Sequence, residues 1–282
     1  MLHALLLAQL LIDQTDPIGF RVDNGVFTAD HSRRNGVDSG TLHKLTYKAA
    51  GVSLERTPTN WMHWAPSMQR TGARAYTSIS TWDPVQSFRH EKSANRLVFA
   101  REGRHQLYPE VKLQTEYTYE AGLPYFLFHA VLTVEKPVDM YWLRGQEMTM
   151  DGFFTHAAWP DRAGKPVVMR FEDRAPVLDK NPLPVGLPWI AFVNPEKGYG
   201  YGAVTLGFQA TKLVNAMMSI NDGAENGKYW DRRIVNQKST MLQPGDRFEE
   251  RTAYVLFRAS PRDPVGEFLK IERKLRAEKA KR

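Results

Sequence analysis

Apolar and polar residues alternate almost without a break from Val111 to Glu120, which predicts a half-buried antiparallel strand. A turn containing Gly and Pro follows, and the mostly apolar stretch at 124–135 predicts a second, more deeply buried strand. A Lys-Pro turn then precedes a third predicted strand at 140–150. We expect these three strands to form a meander at the centre of the fold.

The rest of the chain shows a similar pattern, in which short predicted strands alternate with turns that contain Gly, Pro or Asn. Asn24-Gly25 predicts a type I′ hairpin, because that turn needs positive φ angles. Further turns are predicted at Asp83-Pro84 and at Gly103. The pattern predicts about sixteen to eighteen strands in total. Since no linker divides the chain, it favours one large antiparallel β-sandwich over two domains.

Only the end of the chain is predicted to be helical. Apolar residues recur at helical spacing from 265 to 275, with Asp263 as the predicted N-cap and Pro264 at the first helical position. The predicted organisation is a signal-like or first-element segment at 1–16, a β-sandwich domain at 17–258, and a C-terminal helix with a basic tail at 259–282.

The amino-acid composition favours some classes of function for this protein and excludes others. Aromatic residues are abundant, with 7 Trp, 11 Tyr and 14 Phe, which suits sheet packing or a sugar-binding surface. The net charge of +7 fits an anionic partner, but the basic tail holds much of it and no nucleic-acid-binding motif is present. The absence of cysteine excludes disulfides, thiol catalysis and zinc–thiolate sites.

The apolar start of the chain bears on localisation. Residues 2–12 are Leu-rich like the core of a signal peptide, although they lack its basic start and a clear cleavage site. No apolar run reaches the roughly 20 residues that a membrane span needs. We expect a secreted or periplasmic protein without a membrane span, and a cytoplasmic location stays open.

Several segments together resemble a known fold. They are Phe20 to Val26, Asn35-Gly36, Leu42 to Tyr47, Tyr119 to Tyr125, and Leu242 to Asp246. This pattern resembles the galactose-mutarotase-like β-supersandwich, which occurs in aldose epimerases and in domains of polysaccharide lyases and glycoside hydrolases. The resemblance implies an all-β supersandwich and a carbohydrate ligand. No full epimerase signature is present, so it implies no catalytic His/Glu pair.

The predicted catalytic residues are polar side chains in strand-like segments. Arg144 and Gln146 share one face and could bind and neutralise a uronic carboxylate. His156 could act as base or acid near neutral pH, as could Tyr229, whose phenol pKa a neighbouring Arg would lower. The structural alternatives are a surface Arg144, a His156 bonded to backbone, and a cross-strand ion pair between Asp231 and an Arg.

Aromatic and cationic side chains could form the surface that binds the substrate, because sugar rings stack on aromatic faces and acidic sugars attract Arg. The alternative is that the tryptophans are buried and anchor loops. The predicted substrate-binding residues are His63, Trp64, Trp142, Trp230, Arg232 and Arg233.

Other titratable residues are less specific. His129 lies within an apolar stretch, which favours a structural role. Glu249 and Glu250 could supply a hydrolase with paired carboxylates, but that chemistry needs a fixed separation that the sequence does not give. The histidines lack a spacing typical of metal ligands, and we predict neither a metal nor a cofactor.

The favoured hypothesis is therefore a lyase that cleaves an acidic, uronate-containing poly- or oligosaccharide by β-elimination. An aldose epimerase or a glycoside hydrolase on the same scaffold is the enzymatic alternative. The third hypothesis is a non-catalytic carbohydrate-binding β-sandwich. The expected partner is an acidic carbohydrate rather than a nucleic acid.

Overall fold

Eighteen β-strands and one α-helix form the part of the chain that this computed structural model describes, namely residues 10–14, 19–32, 41–54, 68–73, 82–105, 107–150, 153–171, 182–223 and 227–280. The first nine strands are β1 (Leu11–Gln14), β2 (Phe20–Asp23), β3 (Phe27–Ser32), β4 (Thr41–Tyr47), β5 (Val52–Ser53), β6 (Met68–Arg70), β7 (Trp82–Lys92), β8 (Arg96–His105) and β9 (Tyr108–Glu120). The remaining elements are β10 (Tyr125–Val134), β11 (Val138–Met150), β12 (His156–Pro160), β13 (Pro166–Arg170), β14 (Trp189–Asn194), β15 (Tyr199–Ala210), β16 (Met217–Gly223), β17 (Gly227–Leu242), β18 (Arg247–Arg258) and α1 (Gly266–Lys279).

The strands form three antiparallel sheets. A five-stranded sheet has the order β1-β2-β3-β4-β5, and a four-stranded sheet has the order β16-β17-β11-β6. The largest sheet has nine strands in the order β13-β12-β14-β15-β18-β10-β9-β8-β7. The predicted all-β sandwich with one C-terminal helix is confirmed for the described residues.

The main core lies between the nine-stranded sheet and the two smaller sheets. The ring of Phe20 in β2 lies 4.8 Å from that of Phe99 in β8, and Phe27 in β3 lies 6.2 Å from Tyr119 in β9. Residues of the four-stranded sheet such as Ile234 belong to the same buried cluster. This face of the nine-stranded sheet, which we call its inner face, therefore carries most of the apolar burial.

The opposite, outer face of the nine-stranded sheet holds a second core beneath α1. Phe268 of the helix is fully buried, and its ring lies 5.4 Å from Trp189 and 5.2 Å from Phe257. A Cβ atom at Gly202 would lie 2.5 Å from the Phe268 ring, so this close approach requires glycine. The apolar stripe predicted from 265 to 275 is the surface of α1 that faces this core.

The predicted helix start was wrong by a few residues. The helix begins at Gly266, with Val265 as N-cap and no side-chain capping bond. Upstream, the backbone N–H of Asp263 donates to the hydroxyl of Ser260, at 3.1 Å, and to the Ser260 carbonyl. Residues 260–263 therefore form a separate turn before the helix, because their hydrogen bonds close locally.

The predicted three-strand meander was also wrong in its third member. β9 and β10 pair as expected, but the other edge of β10 pairs with β18. β11 instead pairs with β17 and β6 in the four-stranded sheet. The turn at Lys136-Pro137 thus carries the chain from one sheet to another, since both edges of β10 are already occupied.

Three turn predictions need correction. Asp83-Pro84 and Gly103 lie inside β7 and β8, where register shifts absorb them. Gly25 has a φ of 91°, but Asn24 does not have positive φ, so the hairpin turn is not type I′.

Asn24 is fully buried, and its side-chain amide donates to the carbonyls of Glu120 and Leu123. This residue ties the five-stranded sheet to the turn between β9 and β10.

A buried ion pair joins the four-stranded sheet to the nine-stranded sheet. Arg232 of β17 donates from Nη1 to Oε2 of Glu250 in β18 at 2.6 Å, and the two side chains are 0% and 3% exposed. Arg232 also donates to the carbonyl of Val185 at 2.9 Å and to the hydroxyl of Thr205 at 3.1 Å. A Cβ at Gly145 would lie 2.5 Å from the Glu250 carboxylate, so glycine makes room for the pair.

Replacing Arg232 by Met should lower the free energy of unfolding by about 3 kcal/mol, because Glu250 would stay buried without its ionic partner. The double variant Arg232→Met with Glu250→Leu should lose less than the sum of the two single variants. Denaturant unfolding measures all three. Lys48→Met is the control, because its pair with Asp23 is solvent-exposed and should contribute less than about 1 kcal/mol. Equal losses in Arg232→Met and Lys48→Met would contradict the role given to the buried pair.

Candidate functional site

Three residues considered in the sequence analysis meet on the face of the four-stranded sheet that points away from the main core. They are Asp231, Arg144 and Arg233. Asp231 of β17 accepts hydrogen bonds from Arg144 Nη1 at 3.1 Å and from Arg233 Nε at 3.0 Å. The three residues are 1%, 7% and 8% exposed, respectively. The guanidinium of Arg233 lies 4.7 Å from the ring centroid of Trp142, a cation–π contact.

This arrangement is the cross-strand ion pair that the sequence offered as the structural alternative. Arg144 lies in β11 and Asp231 in β17, so the pair joins two neighbouring strands. Asp231 already supplies Arg144 with a carboxylate, which a uronate ligand would have to displace. Displacement would leave the buried Asp231 with one cation fewer, which is costly.

Trp230 and Arg232 point to the opposite face of β17, into the main core. Trp230 is 1% exposed and Arg232 is fully buried. A ring with no exposed face cannot stack on a sugar, so the structure corrects the prediction that these two residues bind substrate. They are core residues because alternation along β17 places them towards the nine-stranded sheet.

The remaining predicted residues are distributed over different parts of the chain. Tyr229 lies in β17 and is partly buried. His156 lies in β12 of the nine-stranded sheet, where its Nδ1 is 2.9 Å from the Thr155 hydroxyl. Partial burial, followed by the charge of Arg170, lowers the pKa of His156. His63, Trp64 and the side chain of Gln146 lie outside the described residues.

The predicted catalytic set therefore belongs to two sheets. Arg144 and Tyr229 lie in the four-stranded sheet, whereas His156 lies opposite Val193 in the nine-stranded sheet. Val193 is part of the second core, so His156 points to the outer face, the side on which α1 packs. The contacts of the described residues do not bring His156 together with Arg144.

A second polar site, which the sequence did not indicate, lies on the outer face of the nine-stranded sheet. Beyond the part covered by α1, strands β7, β8, β9, β10 and β18 present polar side chains around a cavity of about 740 Å³. We call this cavity the polar groove. The polar side chains that line it include Arg89, Glu102, Gln114, Glu116, His129 and Arg247.

His129 and Glu249 form the centre of a charged network beside this groove. His129 Nε2 lies 2.8 Å from Glu249 Oε1, and Arg247 and Arg251 each donate to the same carboxylate at 3.0 Å. Partial burial would raise the pKa of Glu249, but the hydrogen bonds from Arg247, His129 and Arg251 outweigh it and lower the pKa to about 2. Glu249 is therefore ionised at neutral pH and fixes the orientation of the imidazole.

Two further carboxylates lie across the neighbouring strands. Glu102 accepts from Lys112 at 2.7 Å and from the Gln114 amide at 2.6 Å, and the bond from Lys112 is the main cause of its lowered pKa. Glu116 pairs in register with His129 and lies 3.3 Å from Arg89. The polar groove thus carries carboxylates, cations and an amide side by side, which suits a ligand rich in hydroxyl groups.

Sequence reasoning missed this site for an identifiable reason. Alternation along β9 correctly places Gln114 and Glu116 on the polar face. His129 was assigned a structural role because its neighbours in β10 are apolar, although those neighbours alternate between the two faces of the sheet. Only the register of β9, β10 and β18 brings Glu116, His129 and Glu249 together.

Two negative findings apply to the described residues alone. They contain no group of three or more His, Cys, Asp or Glu side chains that could hold a metal ion. Their single helix is too short and too polar to cross a membrane.

The network around Glu249 predicts a specific acid sensitivity. Because folding lowers the pKa of this carboxylate, its stabilisation is fully present above pH of about 4.5 and is lost as the pH falls towards 2. The free energy of unfolding should fall between pH 6 and pH 3, and it should fall by about 1 kcal/mol less in Glu249→Gln than in the wild type. The difference is small because solvent screens these partly exposed pairs. Urea unfolding at the two pH values measures this loss. Glu91→Gln, at an exposed pair with Arg89, is the control, and an unchanged pH dependence in Glu249→Gln would refute the prediction.

No family model matches this chain, and no curated protein matches it. Solved structures do resemble its fold. The GH36 alpha-galactosidase AgaA from Geobacillus stearothermophilus has a TM-score of 0.52 at 11% identity, over 89% of this chain and 42% of that chain. The alpha-N-acetylgalactosaminidase NagBb from Bifidobacterium bifidum, in its GalNAc complex, has a TM-score of 0.57 at 12% identity, over 92% of this chain and 38% of that chain. The chain thus spans about two fifths of the length of these proteins, and the likeness establishes a shared fold.

Proposed function

We propose that this chain is a carbohydrate-active protein of the glycoside-hydrolase type, and that it holds a neutral sugar in the polar groove. The observation that carries the proposal is the row of Gln114, Glu116 and His129 along a cavity of about 740 Å³. That volume falls within the range typical of small-molecule sites. The fold likeness to an alpha-galactosidase and an alpha-N-acetylgalactosaminidase supports the same class of ligand.

Charge balance favours a neutral sugar over an acidic one. Three arginines line the polar groove. The exposed Arg89 and Arg247 are matched by the carboxylates Glu102 and Glu116, whereas Arg101 is buried and donates to the Thr115 hydroxyl. Hydroxyl groups can donate to such carboxylates and accept from the arginines and from Gln114. A uronate would instead need a surplus of cations, and in the four-stranded sheet Asp231 already binds both Arg144 and Arg233. The lyase hypothesis therefore has less support than the glycoside-hydrolase hypothesis.

Two different roles can be assigned to the side chains at the polar groove, namely proton transfer and stabilisation of charge. Glu249 and Glu102 have lowered pKa values, so neither can donate a proton at neutral pH. His129 is oriented by Glu249, and cross-strand pairing sets it beside Glu116. We assign proton transfer to His129 and stabilisation of developing positive charge at the sugar ring to Glu116.

Binding tests the first part of the proposal. Calorimetric titration with galactose, N-acetylgalactosamine, glucose and galacturonate should show binding of at least one neutral sugar and weaker binding of the uronate. Gln114→Ala and Glu116→Gln should each weaken that binding at least about tenfold, the effect of losing one or two hydrogen bonds to a charged or polar partner. Lys274→Ala, on the exposed side of α1, should leave affinity unchanged.

Activity tests the second part. With nitrophenyl α- and β-galactosides, His129→Ala should lower turnover far more than it lowers affinity, whereas a binding-only sandwich would show no turnover in the wild type. The proposal would be overturned by a different pattern, in which only uronate polymers bind and an unsaturated product accumulates in an Arg144-dependent manner. The thermal midpoint of every variant checks that loss of binding or turnover does not reflect unfolding.

A further inference from the structure

A second groove continues from the polar groove towards the helix. Its volume is about 650 Å³, and it lies where the C-terminal half of α1 meets the outer face of β9, β10 and β18. We call it the helix-side groove. Glu116 and His129 line both grooves, so the two cavities adjoin on the same face of the sheet, and we call the two together the channel.

The helix-side groove differs in character from the polar groove. Leu127, Leu206 and Leu275 give it an apolar floor, and Tyr125 lies beside them. Sugar rings carry apolar C–H faces as well as hydroxyl groups, so a floor of this kind can hold one ring face by exclusion of water.

The rim of the helix-side groove is polar and balanced in charge. Arg96 and Glu120 face each other at 3.8 Å across β8 and β9. On the helix side, Glu278 and Lys279 contribute one charge of each sign, and Lys279 donates to the carbonyl of Leu206. Such a rim can hydrogen-bond hydroxyl groups without demanding a charged ligand.

The length of the channel exceeds what one sugar ring can fill. Along β9 the lining runs from Gln114 in the polar groove to Glu120 in the helix-side groove. Six residues of strand correspond to about 20 Å. The two cavities, of about 740 and 650 Å³, are each large enough for a small-molecule ligand.

We infer that the ligand is a neutral oligosaccharide, with one unit in the polar groove and the next units along the helix-side groove. This inference rests on the proposed function, because it extends the same site. The apolar floor binds the ring faces, the Arg96–Glu120 rim binds hydroxyl groups, and Glu116 and His129 lie at the junction between the two grooves.

A chain-length series tests the inference. Calorimetric titration with the mono-, di-, tri- and tetrasaccharide of one neutral sugar should show affinity rising at least about tenfold from mono- to trisaccharide, which corresponds to about 1.4 kcal/mol. The double variant Arg96→Ala with Glu120→Ala should abolish that rise and leave affinity for the monosaccharide unchanged. Removing both members of an exposed pair keeps the net charge constant and spares the core.

A second variant tests the apolar floor without altering charge. Thr118 of β9 lies in the helix-side groove next to Leu127, its cross-strand partner, and Thr118→Trp should fill the groove. It should lower oligosaccharide affinity to the level of the monosaccharide. Lys274→Ala is again the control, and thermal unfolding confirms that each variant is folded.

The possible results separate the two claims. Equal affinity for mono- and oligosaccharides, with sensitivity to Gln114→Ala, would overturn the extended ligand and leave the proposed function standing. If affinity still rises with chain length in both helix-side variants, the additional sugar units do not bind in the helix-side groove. Absence of binding to every saccharide in the series would overturn the proposed function, and the inference with it.

Discussion

The ion pair between Arg232 and Glu250 is the constraint around which the layers are arranged. Two opposite charges within a dry core are tolerated only when their hydrogen bonds are satisfied, which fixes the four-stranded sheet against the nine-stranded sheet at one position. Arg232 gains further acceptors from Val185 and Thr205, and Gly145 leaves space for the carboxylate. A shift of either strand by one residue would turn Arg232 or Glu250 to the other face of its sheet and break the pair, because alternate side chains point to opposite faces.

The two faces of the nine-stranded sheet differ in their polar chemistry. Along β18, Glu250 points inwards to the core, and its neighbours Glu249 and Arg251 point outwards to the grooves. The helix covers only part of this outer face, since Phe268 and the other apolar residues of α1 seal the part around Trp189. The polar groove lies on the uncovered part, so the placement of the helix determines which part of the outer face stays accessible to solvent.

Buried arginines in this protein have to be distinguished by their partners. Arg144 and Arg233 share Asp231 in the four-stranded sheet, and this pairing stabilises the contact between β11 and β17. Arg89 and Arg247 at the polar groove lie closer to solvent, with side chains 57% and 46% exposed. An exposed guanidinium can exchange water for a ligand at small cost, whereas a buried one must first lose its carboxylate. Residue type alone therefore does not mark the site.

Local periodicity and turn chemistry were enough to predict the class of fold, the strands β9 and β10 and the apolar face of the helix. The sequence also offered an ion pair between Asp231 and an arginine, as one of its alternatives. The folded chain was needed to show that β11 leaves the sheet of β9 and β10, and that His129 meets Glu249 across 120 positions of the chain. Strand register and the choice of sheet partner are set by long-range packing, which leaves no periodic signal in the sequence.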